Sequence, residues 1–207
     1  MDCVPDDNQE PNASVSYCVM PGKGVVLISA PHAVEHRRKA AIKRAEPATG
    51  RLAQLLHDRV GCPVICRCGP SLEDPNYDEM SGYRDEIVRL VADEGIRLVF
   101  DLHEMGSHHE SMVEIGTGHG RNTGGSAAAA NAIVEAFEAR GIGPVTVDMI
   151  FPAAGPHTVS ADVARRSDAQ CFQIEMNTGL FQPGNRSGGI EAVCRALEHA
   201  VRQYGGG

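Results

Sequence analysis

The sequence has no apolar run approaching the ~18 residues that a membrane-spanning helix requires, no CxxC pair, and no excess of basic residues. The first absence excludes a helical membrane span. The second argues against a structural zinc ribbon, because Cys66 and Cys68 stand in VICRC with one residue between them and no matching second pair. The third, a formal net charge of −8 without a long Lys/Arg block, speaks against nucleic acid as a partner. The opening segment MDCVPDDNQEPNAS is acidic and polar, unlike a secretory or mitochondrial targeting sequence. With seven cysteines, an odd number, it leads to the expectation of reduced thiols in a cytoplasmic protein. Cys62, Cys171 and Cys194 lie among apolar residues and are expected to fill the core.

What is present suits one domain. The 207 residues and 42% apolar content allow a sizeable core, expected over residues 14–207 behind a flexible segment, 1–13. SVSYCVM (14–20) alternates as a strand, and Pro21-Gly22-Lys23-Gly24 predicts a hairpin from it into the apolar strand at 25–30. Further strands are expected at 62–67, 96–102, 112–117, 144–149 and 171–177. Helices are expected at 50–60, 85–94, 126–140 and 189–204, with polar loops at 69–83 and 151–162. Alternation of strands and helices predicts a three-layer α/β/α sandwich with a mixed central sheet.

The chemistry gathers at strand ends. The strand at 25–30 runs into Pro31 and then offers His32 and Glu35, whose spacing places an imidazole and a carboxylate on one side of a turn. The strand IRLVFDL empties into His103. In open α/β sheets ligands collect at the carboxyl ends of strands, and two His with one Glu suit a catalytic zinc that leaves one position for water. His108 and His109 compete as ligands but sit in a Gly/Ser loop without a strand behind them. Asp101 shares a strand face with His103. It either orients the His103 ring or caps the following loop.

Glu175 interrupts the apolar strand CFQIEMN. A carboxylate there is costly unless a cation or partner compensates it, which makes it the candidate general base. The competing reading is an edge strand on which Glu175 faces water. Arg84, Arg121 and the Asn76 amide are candidates to hold an anionic substrate or transition state. Arg37, Arg38, Lys39, Lys43 and Arg44 form either a solvated helix face or an electropositive rim that draws an anion towards the metal.

SAPHAVEH, DPNYDEMSGYRDEI, VFDLHEMG and QIEMN occur in the order found in the N-formylglutamate amidohydrolase-like proteins. This chain resembles that family over roughly residues 25–180. The family is related in fold and metal chemistry to the zinc carboxypeptidases and the aspartoacylase-type deacylases. The resemblance implies one zinc ion on His32, Glu35 and His103, with Glu175 activating water. It implies a substrate contact at Asn76, where those families place an Asn-Arg pair. Here Tyr77 follows Asn76, and Arg84 is expected to supply the cation. The implied activity is hydrolysis of an amide bond in a small N-acyl amino acid or a peptide end. Two rivals remain: a metal-binding homologue without turnover, and a cysteine hydrolase using Cys171 or Cys66 with a His.

Overall fold

The structure is a computed structural model, and it describes residues 16–69, 72–185 and 188–205. The expected flexible segment, 1–13, lies outside them. The strands are β1 (Tyr17–Met20), β2 (Val26–Ala30), β3 (His36–Arg38), β4 (Ala41–Lys43), β5 (Val64–Arg67), β6 (Leu98–Met105), β7 (Val113–Gly116), β8 (Val145–Val147) and β9 (Gln170–Asn177). All but β3 and β4 join in one seven-stranded sheet of order β1-β5-β2-β6-β9-β7-β8. β5, β2, β6 and β9 are parallel neighbours, whereas β1 pairs antiparallel with β5 and β7 antiparallel with β9. The sheet is therefore mixed. β3 and β4 form a separate antiparallel hairpin.

The helices are α1 (Pro47–Val60), α2 (Gly82–Glu94), α3 (Ala128–Glu138), α4 (Val159–Arg166) and α5 (Gly189–Gly205). α1, α3 and α5 cover one face, where Leu52, Leu56, Ile133 and Leu197 pack on Ile28 and Phe100. α2 and α4 cover the other through Tyr83, Ile87, Val159 and Val163 against Leu27, Val99 and Cys171. Each such fully buried Leu, Ile or Phe contributes roughly 1.5–3 kcal/mol. The result is a three-layer α/β/α sandwich.

Local chemistry sets the helix ends. α1 starts with Pro47 in its first turn and stops at Gly61, which takes the left-handed conformation at φ 66°. Ser81 caps α2 by accepting the Arg84 N–H, and Gly95 ends it in the same left-handed state.

Several expectations are corrected. β1 does not pair with β2, because β5 and β6 already occupy both edges of β2. β1 lies instead on β5, where Cys18 and Cys68 form a disulfide, so the thiols are not all reduced. β6 continues past His103 to Met105, which puts His103 inside a strand. α4 begins at Val159, inside the loop expected over 151–162. Thr158 caps that helix by accepting the Ala161 N–H, and Val159 and Val163 recur one turn apart on its buried side. The basic run near residue 40 lies on and beside the β3–β4 hairpin rather than on a helix.

The connection from β2 through α1 leads to β5 on one side, and the connection from β5 through α2 crosses back to β6 on the other. Winding reverses there, which opens a crevice beyond the carboxyl ends of β2 and β6. No described helix is long and apolar enough to cross a membrane.

Candidate metal centre

On the sheet face towards α2 and α4, side chains change from apolar to polar along each central strand. Leu27 gives way to Ser29, Val99 to Asp101 and His103, and Cys171 to Gln173 and Glu175. The period of two carries one side-chain type into the core and the next beyond the helices that cover it. A cleft of about 890 Å³ opens over these polar ends, lined by His32, His103, Glu46, Asn76, Gln173 and Glu175 among others.

Glu46, the residue immediately before α1, reaches between two imidazoles. Its Oε1 lies 3.1 Å from His32 Nδ1 and its Oε2 lies 3.3 Å from His103 Nδ1. The two rings meet edge to face with centroids 4.9 Å apart. Their outer nitrogens are held by separate carboxylates: His32 Nε2 is 3.0 Å from Asp74 Oδ1, and His103 Nε2 is 2.9 Å from Asp101 Oδ2. Without a metal each ring donates to carboxylates on both sides, and the carboxylate behind Nε2 leaves Nδ1 as the nitrogen that a cation in the cleft would take. Ser29 Oγ donates to the other oxygen of Asp101 at 2.7 Å.

Ligand atoms of His32, Glu46 and His103 all lie within 4.8 Å of one another, as do those of His32, His36 and Asp74. The second group is a hydrogen-bonding hub. Asp74 Oδ1 accepts from the Asn76 N–H at 3.0 Å as well as from His32, and Oδ2 accepts from Arg38 Nε at 2.5 Å. His36 stacks flat on His32, with centroids 4.0 Å apart. The first group has open cleft in front of it and the donor set of a zinc centre, two imidazole nitrogens and one carboxylate.

The charges are tightly coupled. Burial would raise Glu46 and Asp74, but hydrogen bonds from His103 and His32 hold Glu46 well below the usual carboxylate range. His32, His36 and Arg38 do the same for Asp74. Burial would lower the two imidazoles, but Asp74 and Glu46 raise His32, and Asp101 and Glu46 raise His103 further. Glu175 behaves differently. It stands opposite His103 in the β6–β9 register and accepts from Gln173 Nε2 at 3.0 Å. Burial pushes its carboxyl up to about 7, opposed by the charge on His103 and reinforced by that on Glu46.

Of the residues expected at the site, the structure brings His32, His103, Asp101, Asn76 and Glu175 together. β9 is flanked by β6 and β7, so Glu175 is not on an edge strand. Asn76 Nδ2 lies 3.4 Å from His103 Nε2 and 3.3 Å from Gln173 Oε1, while its Oδ1 accepts the Val159 N–H at 2.7 Å.

Glu35 is corrected. It is exposed, outside both ligand groups, and Glu46 stands in the place expected for it. The chain turns out into the β3–β4 hairpin directly after Glu35, and Glu46 is where it returns, its N–H donating to the His32 carbonyl at 2.9 Å. The Pro47 that starts α1 was the local sign that residue 46 occupies a helix entrance.

Arg84 is also corrected. It is buried, paired with Asp162 at 3.1 Å, and donates to the carbonyls of Pro75, Asp78, Glu79 and His157. Every face of its guanidinium is committed to holding the 75–79 loop and α4. Arg121 donates to the Gly118 carbonyl and lines a separate hollow with Ser167 and Asp168. The cations at the cleft are instead Arg38, Lys43 and Arg44, delivered by the hairpin. Opposite them, residues 151–155 are pinned by Glu114, which accepts the N–H groups of Ile150 and Phe151. Gly116 permits that approach, because a Cβ there would lie 2.4 Å from the Phe151 carbonyl oxygen.

Neither cysteine considered as a nucleophile, Cys171 or Cys66, is placed to act as one. Cys171 is fully buried between β9 and its covering helices, and burial raises its thiol well above the ordinary value. Cys66 donates to the Arg67 carbonyl at 3.5 Å.

No known family model matches the chain, and no curated protein matches it by sequence. Solved structures do. A bacteriophage poly-gamma-glutamate hydrolase is similar at 15% identity and TM-score 0.58, over 92% of this chain and 90% of that one. The N-formylglutamate amidohydrolase from Ralstonia eutropha JMP134 is similar at 13% identity and TM-score 0.57, over 91% and 97%. The catalytic domain of CwlV, an N-acetylmuramoyl-L-alanine amidase from Bacillus (Paenibacillus) polymyxa var. colistinus, is similar at 15% identity and TM-score 0.53, over 87% and 97%. At these identities the likeness establishes a shared fold, and the chemistry rests on the site itself.

Proposed function

We propose that this chain is a zinc-dependent hydrolase that cleaves an amide bond in a small N-acyl amino acid or at a peptide end. The observation that carries the reading is the carboxylate of Glu46 set between the inward Nδ1 atoms of His32 and His103, with Glu175 beside them in an open cleft. The nitrogen and oxygen donors, each imidazole braced by its own carboxylate, suit zinc among the divalent ions. Zinc, when bound, supplies Lewis acidity that brings a water close to ionisation near neutral pH and polarises a carbonyl.

The chain's own groups do the rest. Glu175, whose burial makes it basic for a carboxylate, takes the proton of the attacking water and returns it to the departing amine nitrogen. The Gln173 amide holds the Glu175 carboxylate in place. Arg38, Lys43 and Arg44 give the cleft a positive rim in a chain of net charge −8, which favours a substrate bearing a carboxylate. Amide hydrolysis is preferred because the structurally similar proteins include a hydrolase named for poly-gamma-glutamate, an N-formylglutamate amidohydrolase and a muramoyl-alanine amidase.

The test is purified protein assayed on N-acyl and γ-glutamyl amino acids, with metal content measured in parallel. Chelation should abolish turnover, zinc should restore it, and Glu175→Gln should bind zinc while losing at least about 100-fold in kcat, the scale of a missing general base. Turnover that persists in both the zinc-free protein and Glu175→Gln would defeat the reading.

A further inference from the structure

We propose that Glu104 is a positioning residue for the candidate metal centre: it caps α1 in place of Glu46 and so leaves the Glu46 carboxylate free to face His32 and His103. The inference rests on the metal reading above.

Glu46 occupies the N-cap of α1, yet its side chain makes no cap hydrogen bond. The first N–H groups of a helix have no partner within it and are ordinarily satisfied by the N-cap side chain. Here the acceptor comes from another element. Glu104, on β6, accepts the Ala48 N–H through Oε1 at 2.7 Å. In return the Glu104 backbone N–H donates to Glu46 Oε2 at 3.1 Å.

This is the reciprocity of a capping box, split between a helix entrance and a strand 56 and 58 residues away. The carboxylate at the helix N-terminus is further favoured by the helix dipole. Strand alternation explains why adjacent residues serve different ends. His103 points to the α2/α4 face, whereas Glu104 falls in step with Leu98, Phe100 and Leu102 towards the α1 layer. One strand end therefore presents a candidate ligand and, next to it, the brace for the ligand opposite.

The decisive measurement is zinc affinity by competition with a chromophoric chelator, together with the visible spectrum of the cobalt-substituted protein. Wild type is measured first, since a wild type that takes up no metal overturns the metal reading and this inference with it. With metal bound, Glu104→Ala should weaken zinc by about 10–100-fold, the usual scale for a group that supports a ligand, and should alter the cobalt spectrum. Glu104→Gln keeps an acceptor for the Ala48 N–H and should stay near wild type in both. Arg51→Gly, which loosens α1 from its exposed side, controls for helix stability and should leave affinity unchanged.

Amide exchange at Ala48 in the metal-free protein should be slow in wild type and Glu104→Gln and fast in Glu104→Ala. A Glu104→Ala protein with wild-type zinc affinity and spectrum, or one no weaker than Arg51→Gly, overturns the assignment.

Discussion

His103 and Glu175 stand directly opposite each other in adjacent parallel strands, β6 and β9, on the face that carries Asp101 and Gln173 one position-pair earlier. The imidazole is braced by Asp101 while the carboxylate is left buried without a cation of its own, and burial pushes it up to about 7. This pairing gives a pH signature.

In the metal-free protein Glu175 binds its proton more tightly folded, at about 7, than at its ordinary value of 4.5. Protonation thus favours the folded state: the contribution is fully present below about 4.5 and is lost as pH rises through about 7. Glu175→Gln should therefore be more stable than wild type at pH 8, by up to about 3 kcal/mol at 1.36 kcal/mol per pH unit. The two should converge near pH 4. Denaturant melts of both proteins across this range check it, and parallel curves would refute it.

Glu46 and Glu35 make opposite predictions. Glu46→Gln weakens a charge that both imidazoles face and should lower zinc affinity by about 100-fold or more, whereas Glu35→Gln, exposed and outside the cluster, should change it by less than about 2-fold. Equilibrium dialysis against zinc distinguishes them.

The hairpin cations should act on binding more than on chemistry. Replacing Lys43 and Arg44 together by Gln should raise KM for a carboxylate-bearing substrate by about 10-fold with kcat little changed. The effect should shrink above about 0.5 M salt as screening takes over. Steady-state kinetics at two ionic strengths measure both. A fall in kcat alone would assign these side chains another role.

Arg84→Ala should damage the fold. It would leave the carbonyls of Pro75, Asp78, Glu79 and His157 without this donor, at about 1–3 kcal/mol for each that stays buried and unsatisfied, while Asp162 keeps Arg165 and Arg166. Thermal unfolding should shift down accordingly, while zinc affinity measured below the transition should remain close to wild type.

The amino-acid sequence by itself determined the sheet's central strands, because the runs at 25–30, 96–102 and 171–177 are too short for buried helices, rich in β-branched and aromatic residues, and bounded by turn residues. It also marked His32, Asp101, His103 and Glu175, since polar groups that break such runs must lie where the covering helices stop. It was silent on Glu46, because the approach of Glu46 to His32 depends on the excursion through the β3–β4 hairpin, which leaves no periodicity in the chain. Arg84 and Cys18 were illegible for a similar reason. Their partners, Asp162 and Cys68, lie 78 and 50 residues away. Strand polarity is a local property that spacing reveals, but which carboxylate closes a ring of imidazoles is decided only when distant segments are packed against one another.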